Sequence, residues 1–116
     1  MNKNNIGRCY ELNYKFVTNH HDYILVHGYI TNLFPPYQTL DHAWCMKDNI
    51  VYDAVQEKEY ELEAYNTIFK AEIDKQYTIE EVFECALKYG TYGCWHELRD
   101  LNLEKYYNGR ELKYGK

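Results

Sequence analysis

The stretch His42-Ala43-Trp44-Cys45-Met46-Lys47-Asp48-Asn49-Ile50-Val51-Tyr52-Asp53-Ala54-Val55 decides the fold. His42 to Met46 and Ile50 to Val55 carry apolar, β-branched and aromatic residues, and Lys47-Asp48-Asn49 between them supplies turn chemistry. Two short strands joined so closely form an antiparallel hairpin. Its register hangs on the turn. A two-residue turn at Asp48-Asn49 sets Trp44 opposite Asp53 and His42 opposite Val55. His42, Trp44 and Asp53 then share a face, with His42 and Asp53 as diagonal neighbours. A three-residue turn pairs Ala43 with Asp53 and sends Asp53 to the other face, because a one-residue slip inverts every side chain.

Upstream, Tyr23 to Ile30 reads as a strand, with Ile24, Val26 and Gly28 on one face and Leu25, His27 and Tyr29 on the other. Both faces are fairly apolar, which marks a central strand. Cys9 to His20 has helical spacing: Cys9, Leu12, Phe16 and Val17 fall on one face, and Asn19-His20-His21-Asp22 ends the helix. Residues 1–7 read as a loose arm. Thr31 to Leu40 is a loop in which Pro35-Pro36 forbids regular structure, and a loop of that length often has a job.

Downstream, residues 56–63 read as loop or the start of a strand, and Tyr65 to Ile73 fits strand or helix equally. Thr78 opens the clearest helix. Thr78 and Glu81 make a capping box, Val82, Phe83, Ala86 and Leu87 form the apolar stripe, and Gly90 ends it. Gly90 to His96 is a glycine-rich aromatic turn, and the tail from Leu101 is polar and tyrosine-rich. The expected fold is α+β: an N-terminal helix on a small antiparallel sheet, with a second helix near residues 78–89, all in a single domain over residues 1–116.

The 116 residues suffice for one modest core. A net charge of −5, with no long basic run, argues against a nucleic-acid partner. No apolar run is long enough for a membrane span, and Met1 to Gly7 lacks the apolar centre of a signal peptide. A cytoplasmic protein with no membrane partner is expected. The four cysteines, Cys9, Cys45, Cys85 and Cys94, form no close pair and read as free thiols. Cys45 and Cys85 read as small buried hydrophobes. The fourteen tyrosines have an apolar body and a polar tip, which suits half-buried faces and interfaces.

The chemistry lies in the order Cys9, His42, Asp53. A thiol becomes nucleophilic on losing its proton, and both a helix N-terminus and a neighbouring imidazolium favour that loss. Cys9 falls in the first turn of its expected helix. A histidine in reach activates the thiol and then protonates the leaving group, and a carboxylate on the far imidazole nitrogen fixes the tautomer.

Cys9, His42-Ala43-Trp44 and Val51-Tyr52-Asp53 resemble the cysteine, histidine and aspartate motifs of the transglutaminase-like superfamily of papain-like cysteine nucleophiles. There a cysteine at a helix start precedes a His-Ala-Trp strand and a hydrophobic-Asp motif. The resemblance covers roughly residues 7–55. Here Cys45 and Met46 follow the tryptophan, and Ala54 follows the aspartate where a proline is common. Arg8-Cys9-Tyr10-Glu11 and Tyr92-Gly93-Cys94-Trp95-His96 also resemble segments of small phage-type proteins. The resemblance implies a cysteine-dependent acyl-transfer enzyme, whether protease, amidase, deamidase or amide exchanger. Its substrate would be a protein or peptide, a host protein in the host cytosol if the chain is phage-encoded. No cofactor is implied.

Cys9, His42 and Asp53 are thus the expected catalytic residues, with Trp44, His27 and Gln38 lining the site. Gln38, Asn32 and Tyr37 stand as oxyanion donors with nothing to choose among them. His27 also reads as a buried core histidine, and His20 and His21 as caps of a helix end. Cys94 is the rival nucleophile. Zinc on Cys9, His42 and Asp53 lacks a short-spaced ligand pair, so no metal is expected. A second function also fits: a non-catalytic, acidic, tyrosine-rich binding protein such as a phage-encoded inhibitor of a host protein.

Overall fold

The computed structural model describes residues 8–31, 38–93 and 95. Among them the chain runs α1 (Cys9–Asn19), β1 (Ile24–Thr31), β2 (Thr39–Lys47), β3 (Ile50–Asp53), β4 (Lys58–Glu61), α2 (Leu62–Phe69), β5 (Glu72–Tyr77) and α3 (Ile79–Tyr89). The five strands form one antiparallel sheet in the order β4-β3-β2-β1-β5. This is the expected α+β architecture, with β1 and β2 at the centre. The helix expected near 78–89 is the third of the described helices; α2 precedes it.

The hairpin adopts the tighter turn. Lys47 pairs with Ile50, Met46 with Val51 and Cys45 with Tyr52, which leaves Asp48 and Asn49 as the loop. Asp48 takes a left-handed conformation, φ 54°, which Asp tolerates better than most residues. β3 ends at Asp53, so Ala54 and Val55 leave the strand earlier than expected.

Alternation along β1 and β2 divides the core in two. Leu25 pairs with Cys45 and His27 with Ala43. On that face α1 and α3 pack, burying Val17, Leu25, Cys45, Tyr77, Val82 and Trp95 together. Val26 pairs with Trp44 and points the other way. There Trp44, Val26 and Val51 meet Tyr65 and Phe69 of α2. Burying a large apolar side chain contributes about 2 kcal/mol, so these two clusters dominate what holds the layers together.

The ends of α3 behave as its sequence dictates. Thr78 Oγ accepts from the Glu81 N–H, Glu81 accepts from the Thr78 N–H, and Gly90 closes the helix in a left-handed conformation, φ 69°. Tyr65 to Ile73 proves to be both alternatives, a helix to Phe69 and a strand from Glu72, with Lys70 left-handed at the junction. β5 is an edge strand whose residues Glu72 to Gln76 are all exposed. Among the described residues no helix is long and apolar enough to cross a membrane. Residues 1–7, 32–37, 94 and 96–116, and with them the N-terminal arm, the Pro35-Pro36 turn and the tail, lie outside the described residues.

Candidate active site

Asp53 is fully buried at the end of β3. A carboxylate can be held there only if hydrogen bonds replace its water. Its Oδ2 accepts from His42 Nε2 at 2.8 Å, from the Tyr65 hydroxyl at 2.7 Å and from Gln56 Nε2 at 3.2 Å. Its Oδ1 accepts from the Val55 N–H at 3.0 Å. Burial pushes the carboxyl pKa up, but the His42 contact, the Tyr65 hydroxyl and the Val55 N–H more than offset this and hold it below 3.8. Asp53 is therefore a carboxylate throughout the physiological range.

His42 lies one strand away on the same face, the diagonal contact that the tight turn demands. Its side chain is 12% exposed. Burial pulls the imidazole pKa down. The hydrogen bond that His42 donates to Asp53, the nearby Cys9 thiol and the charge of Asp53 reverse that and raise it to about 9. Because Nε2 is committed to Asp53, Nδ1 is the nitrogen left for the thiol. Trp44 lies fully buried beside the imidazole, ring centroids 6.1 Å apart, and keeps water from that flank. Its Nε1 is buried with no hydrogen-bond partner among the described residues, a cost the packing must offset.

Cys9 is the first residue of α1 and is partly exposed. No side chain caps this helix start, since Arg8 turns its guanidinium to Glu11 at 3.0 and 3.1 Å. Cys9 thus stands in the first turn, whose backbone N–H groups have no carbonyl partner within the helix. Cys45 differs in kind. It is fully buried, its Sγ 3.5 Å from the Asn13 carbonyl and side-chain oxygens, and burial raises its pKa well above the usual thiol range. Cys85 is partly buried and also raised by burial.

The structure therefore brings His42, Asp53 and Trp44 together, with Cys9 close enough to act on the His42 ring. His27 and Gln38 stand apart from them. His27 is buried on the opposite face, packed edge-on to Tyr10 and Tyr77 and beside Trp95. Gln38 is exposed just ahead of β2 and is not bonded to the trio. His20 Nδ1 and His21 Nε2 lie 2.8 Å from the carbonyls of Phe16 and Thr18, the caps of the α1 end that the sequence suggests. Asn32, Tyr37 and Cys94 fall outside the described residues. No cluster of three His, Cys, Asp or Glu side chains suited to a metal ion occurs among the described residues.

Three further residues complete the site without any motif. Tyr65 comes from α2, and Gln56, which in turn accepts from the Tyr60 hydroxyl, comes from the turn after β3. Asn13 is fully buried and uses all its hydrogen-bonding capacity. Its Nδ2 donates to the carbonyls of Cys9 and Ala43 at 2.9 and 3.0 Å, and its Oδ1 accepts from the Ala54 N–H and the Cys45 thiol. Its sequence signal is a polar residue four positions after Cys9 and four before Val17, inside an otherwise apolar helical stripe.

No family model, curated protein or solved structure matches the chain.

Proposed function

We propose that the chain is a cysteine-dependent acyl-transfer enzyme of the transglutaminase-like kind, acting on a carboxamide or peptide bond of a protein or peptide. One observation carries the reading: a largely buried imidazole is hydrogen-bonded to a buried carboxylate and lies close enough to a partly exposed thiol for the two to interact. With its pKa near 9, His42 keeps a proton at neutral pH, and an imidazolium beside a thiol favours the thiolate. The Cys9 sulfur attacks the carbonyl carbon, forming a C–S bond. The C–N bond then breaks as His42 passes its proton to the departing nitrogen. Water or a second amine, deprotonated by the now neutral His42, resolves the thioester and frees Cys9. The Cys9 N–H, first in the helix and without a carbonyl partner inside it, can serve as a donor to the oxyanion.

The test is alkylation of the native protein with iodoacetamide at about pH 6, where an ordinary thiol is almost wholly protonated. Mass spectrometry should find Cys9 modified well before the other three cysteines, and His42→Ala should abolish the difference. Slow and equal modification of all four would refute the proposal.

A further inference from the structure

The hairpin ladder stops one step before the trio and two before the chain leaves the sheet. Past Cys45 and Tyr52, the same register sets Trp44 opposite Asp53 and then Ala43 opposite Ala54. The Ala43 and Ala54 backbones are joined there through the Asn13 carboxamide. Nδ2 donates to the Ala43 carbonyl and Oδ1 accepts from the Ala54 N–H, both at 3.0 Å. A side-chain amide offers the same donor and acceptor as a peptide group. Asn13 therefore stands in for a rung of the ladder and holds the two strands one amide apart. The same Nδ2 ties in the carbonyl of Cys9 at 2.9 Å.

We infer that Asn13 is the positioning residue of this site, a wedge that parts β2 from β3 and draws the start of α1 into the gap. The placement of the trio calls for such a device. α1 packs on the face of Leu25 and Cys45, whereas His42, Trp44 and Asp53 point to the face of Tyr65. A continuous ladder would keep the thiol and the imidazole on opposite sides of the sheet. The gap lets them meet, and Asn13 fixes its width through the residue bearing the thiol, the residue after His42 and the residue after Asp53. A core amide also has to earn its burial, since apolar Leu fits the stripe at no desolvation cost. The catalytic meaning of the wedge rests on the proposed acyl transfer; its geometry does not.

The experiment compares Asn13→Ala and Asn13→Asp with Val17→Ala, a wholly buried position on the same helix that packs in the cluster of Leu25 and Cys45. Asp keeps an acceptor for Ala54 but has no donor for Cys9 or Ala43. Both Asn13 variants should slow iodoacetamide modification of Cys9 at about pH 6 by about 100-fold, the usual penalty for misplacing reacting groups by an ångström. They should also move the His42 titration, followed by NMR, well down from about 9. Val17→Ala should lose stability and change neither. Folded Asn13 variants with unchanged modification and titration overturn the inference. Should both fail to fold, hydrogen exchange of the unaltered protein decides: protected Ala54 and Asn13 side-chain protons support the wedge, and open-chain rates overturn it. An unaltered protein with an unreactive Cys9 refutes the acyl-transfer reading instead, leaving the His42 titration to judge the wedge.

Discussion

Replacing Asp53 with Asn removes one charge from a fully enclosed position and leaves the shape intact. The imidazole is raised from 6.5 to about 9 against the downward pull of its own burial. That rise corresponds to about 3 kcal/mol of preference for the charged ring in the folded protein. Asp53→Asn removes the charge that holds it up. The carbonyl of the new amide would keep its three donors, His42, Gln56 and Tyr65, and turn the NH2 toward the Val55 N–H, losing that bond. With the Asp53 charge gone, only the Cys9 contact still opposes desolvation, and His42 should titrate back toward 6.5. The sign of the stability effect follows from linkage. A pKa raised on folding adds stability that is complete below 6.5 and is lost as the pH climbs through about 9. Urea unfolding should therefore show Asp53→Asn weakened by about 3 kcal/mol more at about pH 6 than at about pH 10. NMR of the imidazole protons reads the His42 titration directly. A variant whose His42 still titrates near 9, or whose stability deficit is equal at both pH values, would show that Asp53 does not set the charge of His42.

The remaining predictions concern the scaffold of that pair. Tyr65→Phe deletes one of the three donors to Asp53 Oδ2 and should cost about 2 kcal/mol, as hydrogen bonds to charged groups do. Because Tyr65 helps hold the Asp53 pKa below 3.8, the stability that Asp53 supplies above that value is lost as the pH falls below it, and in the variant that loss should be smaller and complete at a higher pH. Acid titration of the urea midpoint would show it, and coincident acid limbs would count against it. Gly28→Ala places a Cβ 2.1 Å from the Glu72 carbonyl oxygen and 2.9 Å from the Trp44 ring, so β5 must shift from β1. A loss of about 3 kcal/mol is expected by thermal unfolding, and a change within measurement error would mean that the close approach of β1 and β5 is wrong.

Which parts of the structure were legible follows from where their determinants lie. The end signals of α3 are local: a box between Thr78 and Glu81, and a glycine at position 90. The tight hairpin turn is local too. α2 and β5 escaped a single assignment because their support is not local. Tyr65 and Phe69 are the buried residues of α2, and β5 hides only Tyr77, so neither shows a full period of burial. β5 is a strand because β1 offers its backbone groups for pairing. In the site, Cys9, His42 and Asp53 were readable through a motif and one register argument. Gln56 and Tyr65 were not, because their partner Asp53 gives no hint of which polar groups will close around it. Asn13 was readable in principle, as the polar residue that breaks an apolar stripe. The tyrosines that suggested interface anchors have interior work: Tyr65 and Tyr77 are buried, and Tyr14, Tyr23, Tyr52 and Tyr60 pack against the two clusters.

A buried His-Asp pair is by itself weak grounds for chemistry, since structural pairs perturb pKa values as well. The decisive difference is how the pair is closed. A structural pair gains most when every polar atom of both partners is satisfied from the protein interior. Asp53 meets that description, with four donors on its two oxygens. His42 does not. One nitrogen faces the carboxylate, and the ring also feels the thiol of Cys9, which is partly exposed at the start of a helix. The network is sealed at the aspartate end and open at the cysteine end. Sealing fixes the charge of the imidazole, and opening brings that charge to an atom a carbonyl can reach. A core built for stability alone would place the inert Cys45 environment at both ends. Among the described cysteines, the one beside His42 combines access with an imidazolium partner, and that asymmetry is what favours acyl transfer over a polar core left without a reaction.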